Sequence, residues 1–150
     1  SKAHPSAAAV AVKLSEMGCD NPYAFNRKEA KEHGEGGMII GAPLKGKVIV
    51  IDDVISAGTS VRESVKLIQA AGAQASGVLI ALDRMEKGGN AEQMTEVSAV
   101  QDVINTFHMP VISIINLKDL VAFMDEDTPM AQQARAYKKA VQDYRDRYGA

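Results

Sequence analysis

The chain has a single cysteine, Cys19, so no disulfide can form within it, and a fold built on internal cross-links is excluded. That sparing use fits a reducing compartment. No apolar run approaches the roughly 18 residues that a membrane span needs. The start, residues 1–11, lacks the apolar core of a signal peptide. Neither sign of charge is in excess: 17 Lys and Arg against 19 Asp and Glu leave a formal net charge of −2. A global basic field that would recruit nucleic acid is therefore missing, as is a disordered acidic tail. Low-complexity segments, internal repeats and long Pro/Ser linkers are missing as well. What remains is a globular composition, 46% apolar and 24% charged, over 150 residues. These properties predict one soluble, cytoplasmic domain spanning residues 1–150, able to bury roughly two thirds of its unfolded surface.

Helix-like and strand-like segments alternate along this chain. Residues 7–17 are Ala-rich with helical spacing, and Gly18 is a stop signal. Tyr23, Ala24 and Phe25 form a short candidate strand. Residues 27–37 are charged and Gly-rich, the pattern of a mobile surface loop. Val48, Ile49, Val50 and Ile51 make a continuous β-branched run, which predicts a central strand buried on both faces. Helices are expected over residues 60–71, 97–107, 117–124 and 130–148, and further buried strands over 77–82 and 111–115. Alternation with continuous apolar strands predicts an α/β fold, a mostly parallel central sheet with flanking helices. Ligands of such sheets sit beyond the carboxyl ends of the strands, which directs attention to the residues after Ile51, Leu82 and Ile115.

The string after Ile51 carries the most chemistry. Asp52 and Asp53 stand where the strand leaves the core, and Ser56, Ala57, Gly58, Thr59 and Ser60 follow before a helix. Small residues let backbone N–H groups approach an anion, hydroxyls add donors, and the helix N-terminus adds partial positive charge. Neither a nucleotide P-loop nor a dinucleotide Gly pattern is present. The acidic pair suits sugar hydroxyls beside the phosphate, so the expected ligand is a sugar phosphate. A capped strand end with an ordinary turn is the plain alternative. A phospho-acceptor receiver domain, with Asp83 as a later acid, is another; its acidic pair, however, follows the first strand.

Taken whole, residues 48–60 closely resemble the 5-phosphoribosyl 1-pyrophosphate (PRPP) motif of the type I phosphoribosyltransferases. The resemblance implies that Asp52 and Asp53 face ribose while Ser56, Ala57, Gly58, Thr59 and Ser60 hold the 5-phosphate. Ser56 stands where many members have Thr and keeps the hydroxyl. Residues 23–37 carry Arg27, Lys28, Lys31 and His33 among compensating acids. By composition they are a solvated loop or a cationic one for an anionic leaving group. Their wording resembles the catalytic loop of the orotate branch of the family. That resemblance implies contacts from Arg27, Lys28, Lys31 and His33 to pyrophosphate or PRPP, and a homodimer with a shared active site.

Arg84 follows the second strand, and its planar guanidinium suits a carboxylate or a pyrimidine carbonyl. An ion pair with Asp83 or Glu86 is the structural alternative. By resemblance Arg84 contacts orotate, as Ser56 does. Lys2 and Pro5 loosely match a pyrophosphate-contacting loop of the family, while Ala3 and His4 depart from it, so Lys2 is either a pyrophosphate lysine or a junction residue. Residues 89–95 look like an extended variable loop. His108 is expected in a surface turn, and Cys19 as an inert thiol. Tyr137, Tyr144 and Tyr148 are expected as a packed helix stripe, with Asp143, Arg145, Asp146 and Arg147 on its solvated face.

The family implies PRPP and orotate as partners, Mg²⁺ as cofactor, held by the pyrophosphate and ribose hydroxyls, and no protein metal ligand. It implies no nucleic acid and no membrane. A noncatalytic regulatory protein of the same fold, binding nucleotide or RNA, is the alternative; the near-neutral charge weighs against RNA. The family also has an N-terminal hood and a first core strand that this stretch of sequence lacks, which predicts that Ser1 is a cut rather than a natural start.

Overall fold

A computed structural model describes residues 3–26, 39–89 and 94–150. Helix α1 spans Ala3–Glu16, and Gly18, at φ 80°, turns the chain out of it. Strands β1 (Ala24–Asn26) and β2 (Ile39–Gly41) pair antiparallel. Strand β3 (Lys47–Asp52), helix α2 (Thr59–Ala70) and strand β4 (Gln74–Asp83) follow. Strands β5 (Lys87–Gly89) and β6 (Met94–Ser98) form a second antiparallel pair. Helix α3 (Ala99–Phe107) leads to strand β7 (Val111–Asn116). The chain then runs through helices α4 (Leu117–Phe123) and α5 (Pro129–Ala134), a 3₁₀ turn (Arg135–Tyr137) and helix α6 (Lys138–Tyr148).

β3, β4 and β7 form a parallel sheet in that order. The α/β expectation therefore holds. The core lies on one face of the sheet. Val61 and Val65 of α2 are buried with Val78 and Ile80 of β4 and Ala99 and Val103 of α3, with Val50 and Val111 packed against them. Helical spacing on α2 and period-2 alternation on β4 put these side chains together. Local chemistry sets the helix ends. Ser98 Oγ accepts from Gln101 N–H at the start of α3, and Asn116 and Asp119 form a capping box on α4. Ser76 is the extra residue of a bulge opposite Val48 and Ile49, and its hydroxyl donates to the Val48 carbonyl at 3.2 Å.

Three expectations need correction. β3 is an edge of this sheet among the described residues, and β4 is its centre. Nor are β3 and β7 buried on both faces: Ile49 is 54% exposed, Ile112 58% and Ile114 83%. The register places them on the face opposite the core, where Leu79 and Ala81 lie between them. A β-branched run thus marks strand propensity here rather than two-sided burial. Finally, residues 130–148 are not one helix. The Arg135 guanidinium reaches back to the Met124 and Glu126 carbonyls at 2.9 and 2.8 Å, and the chain tightens into a 3₁₀ turn there. Tyr137 in that turn is 68% exposed, so it does not belong to a packed stripe. His108 is exposed as expected, and Cys19 is exposed too. Among the described residues no helix is long and apolar enough to cross a membrane.

Candidate functional site

β3 carries Asp52 and Asp53 to the carboxyl edge of the sheet. Asp52 Oδ1 accepts from the Asp53 N–H at 2.9 Å, and Asp53 Oδ1 from the Val54 N–H at 2.9 Å. The Asp53 carbonyl accepts from the N–H groups of Ala81 and Leu82 at 3.0 and 3.1 Å, fastening this strand end to β4. Each carboxylate thus uses one oxygen to accept from the backbone of the next residue. Burial pushes the Asp52 carboxyl above its ordinary value; the Asp53 N–H works against this, and the Asp53 side chain adds to the rise. Asp52 is therefore primed to gain a hydrogen-bond donor or a cation.

Past the acidic pair, the chain folds into a small cradle. Asp52, Ser56, Ala57, Gly58, Thr59 and Ser60 line one concavity of about 80 Å³. That suits a group such as a phosphate; sites enclosing a drug-sized ligand run about 300–1,000 Å³. Gly58 is the N-cap of α2, at φ 70° and ψ 6°, and brings no side chain to the cap. The first-turn N–H groups of α2 are left for an anion to satisfy, with the helix dipole in their favour. Glycine is favoured at this position by its backbone first and by tight space second. The backbone is left-handed, and a Cβ would lie 3.1 Å from Arg62 Nη1 and 3.2 Å from Val103 Cγ2.

Arg62 and Asp102 brace this loop, and sequence reasoning missed both. Arg62 Nη1 donates to the Ala57 carbonyl at 2.6 Å and Nη2 to Asp102 Oδ2 at 2.5 Å, tying the cradle to α3. No local signal announces a pair 40 residues apart.

The second strand end is built differently. Asp83 Oδ1 accepts from the Met85 N–H at 2.8 Å, with Met85 at φ 53°. Arg84 pairs with Glu86, whose other carboxylate oxygen accepts from the Tyr144 hydroxyl of α6. The Arg84 Nε–H is buried with no acceptor among the described residues. An unmet buried donor of this kind costs about 1–3 kcal/mol until an acceptor arrives.

The structure thus brings Asp52 together with Ser56, Ala57, Gly58, Thr59 and Ser60. It sets Asp53 beside them, bonded into the backbone rather than lining the concavity. Arg84 stands at the carboxyl end of the neighbouring strand, already ion-paired. Lys2, Arg27, Lys28, Lys31 and His33 lie outside the described residues, as do residues 90–93 of the variable loop. Its described residues, Gly89, Met94 and Thr95, fall in the β5–β6 pair, which the sequence did not suggest, and Val97 and Ser98, expected at the start of a helix, end β6 instead.

No protein-family model matches the chain. Curated relatives do. It is 59% identical over 143 residues to orotate phosphoribosyltransferase of Cupriavidus necator, covering 95% of this chain and 62% of that one. It is 53% identical over 152 residues to orotate phosphoribosyltransferase of Bordetella pertussis, covering 99% and 66%. The chain belongs to the orotate phosphoribosyltransferase family. Among solved structures, the orotate phosphoribosyltransferase of Francisella tularensis superposes with a TM-score of 0.71 at 29% identity, over 95% of this chain and 64% of that one. The three-stranded parallel sheet and its helices are accordingly part of a type I phosphoribosyltransferase fold. The chain spans 62% and 66% of the lengths of these two curated orotate phosphoribosyltransferases.

Proposed function

We propose that the whole protein transfers the 5-phosphoribosyl group of PRPP to orotate, giving orotidine 5′-monophosphate and pyrophosphate. The observation that carries this is the cradle at the end of β3: a half-buried carboxylate beside an uncapped helix N-terminus lined by hydroxyls, in a chain of this family. The first-turn N–H groups of α2, with Ser56, Thr59 and Ser60, hold the 5-phosphate, and Ala57 and Gly58 let the backbone close on it. Asp52 and Asp53 accept from the ribose hydroxyls directly or through water. Positive charge develops at the ribose C1 as pyrophosphate departs. Arg27, Lys28, Lys31 and His33, with Lys2, offset the charge on that leaving group. Arg84 and Ser56 orient orotate, whose ring nitrogen attacks from the opposite face. Orotate reacts as an anion, so no dedicated general base is required.

Hard oxygen donors suit Mg²⁺, and Asp52 and Asp53 provide them, directly or through water. Among the described residues no group of three or more ligating side chains is assembled. Mg²⁺ is commonly held by one or two carboxylates together with substrate phosphates and water. When bound, Mg²⁺ neutralises charge on the pyrophosphate. We further propose a homodimer whose charged loop, residues 27–37, serves the neighbouring subunit's site, working in the cytoplasm.

The test is direct. The full-length protein, given orotate, PRPP and Mg²⁺, is expected to form orotidine 5′-monophosphate and pyrophosphate in equal amounts. Binding of PRPP without consumption of orotate would overturn the reading. Lys31→Ala is expected to lower turnover roughly 100-fold with an unchanged circular dichroism spectrum; an unchanged rate removes the loop from the mechanism.

A further inference from the structure

Arg84 is not held by its own loop alone. Its partner Glu86 has a side chain only 13% exposed, and both Glu86 carboxylate oxygens are engaged, one by Arg84 and one by the Tyr144 hydroxyl. A carboxylate fixed at both oxygens cannot swing, so it sets the plane and tilt of the guanidinium it binds. Burial, with Glu86 adding to it, raises the Tyr144 hydroxyl above its ordinary value, and the hydroxyl donates to that carboxylate. Around this contact the end of α6 is fastened to the same strand end. Gly149 forms a bridge with Glu86, and the Ala150 N–H donates to the Met85 carbonyl at 3.0 Å. Tyr148 packs against Tyr144 with the rings tilted at 48° and their centroids 4.9 Å apart.

We infer that Tyr144 is a positioning residue for base recognition: through Glu86 it presets the guanidinium of Arg84 for the anionic pyrimidine. The inference rests on the proposed orotate reading and adds to it a residue from the far end of the chain. A preset arginine binds its ligand without losing further side-chain freedom. Removing the hydroxyl therefore weakens base binding and leaves the phosphoribosyl half of the site alone.

Steady-state kinetics of the full-length protein test this. Tyr144→Phe is expected to raise the KM for orotate roughly five- to tenfold, with kcat and the KM for PRPP within about twofold. In a Glu86→Ala background the same substitution is expected to change nothing further, because its route to Arg84 is gone. Tyr148→Phe, which alters the neighbouring ring without touching Glu86, is expected to leave the orotate KM unchanged. An unchanged orotate KM in Tyr144→Phe overturns the inference. So does a matching rise in the KM for PRPP, or an effect that persists without Glu86; each marks Tyr144 as merely structural. A wild-type protein that consumes no orotate overturns the parent reading and this inference with it, whereas an active wild type isolates the relay.

Discussion

The two strand ends that meet the ligand edge of the sheet are organised on different scales. The end of β3 is a local construction. Asp52 bonds to the next residue, Asp53 to the one after it, and the cradle runs without interruption into α2. The end of β4 is assembled from afar. Glu86 meets Tyr144 from 58 residues away, and the Ala99 N–H donates to the Glu86 carbonyl at 3.0 Å. A phosphate asks for backbone N–H groups at close range, which a short run of small residues supplies by itself. A flat anionic base asks for a guanidinium in one orientation, and a long side chain acquires that only from neighbours packed around it.

If the β3 end is a self-contained backbone device, damage to its glycine should be felt most. Gly58→Ala forces a Cβ into a left-handed position against Arg62 and Val103. It is expected to cost about 1–3 kcal/mol of stability, read by urea denaturation, and to weaken PRPP binding in calorimetry. Preserved stability and affinity would show that the cradle tolerates another backbone path. A smaller effect probes the long-range side-chain brace at this end. Arg62→Ala and Asp102→Ala are expected to be coupled by about 0.5–1 kcal/mol in a double-mutant cycle, a figure discounted because both side chains are partly exposed. Additive effects would mean that Arg62 acts through the Ala57 carbonyl alone.

The smallest effect concerns charge. The Asp52 carboxyl is raised in the folded chain, so this group favours folding while protonated, below its unfolded value, and that contribution is lost as pH rises through the folded value. Asp52→Asn is therefore expected to raise the Tm by a degree or two at about pH 7, with the gain gone by about pH 3. A gain that persists in acid would place its origin in packing rather than in the buried charge.

The same contrast of scales explains what was legible in the sequence. The order of helices and strands, the stop at Gly18 and the cradle from Asp52 to Ser60 rest on neighbours in the chain, and they were readable. The β5–β6 pair was not, because residues 89–95 show no alternation of apolar and polar positions. The break before α6 was not, because it depends on Arg135 finding carbonyls at the end of α4. Arg62, Asp102 and Tyr144 were hidden for the same reason: an ion pair or a hydroxyl contact across 40 or 58 residues leaves no periodicity. The isoleucines of β3 and β7 misled in the opposite direction, since shape preference and burial favour the same residues.

Those isoleucines carry a practical consequence. Ile49, Ile112 and Ile114, with Leu79 and Ala81 between them, lay a hydrocarbon strip across the strands of a molecule whose net charge of −2 gives feeble colloidal repulsion. Sulfate and other excluded salts strengthen apolar association, so solutions of this chain in such salts are expected to turn cloudy through this strip. A lysine in place of Ile114, the most exposed of the three, sets a charge on the β7 side of the strip and is expected to widen the range of salt in which the solution stays clear.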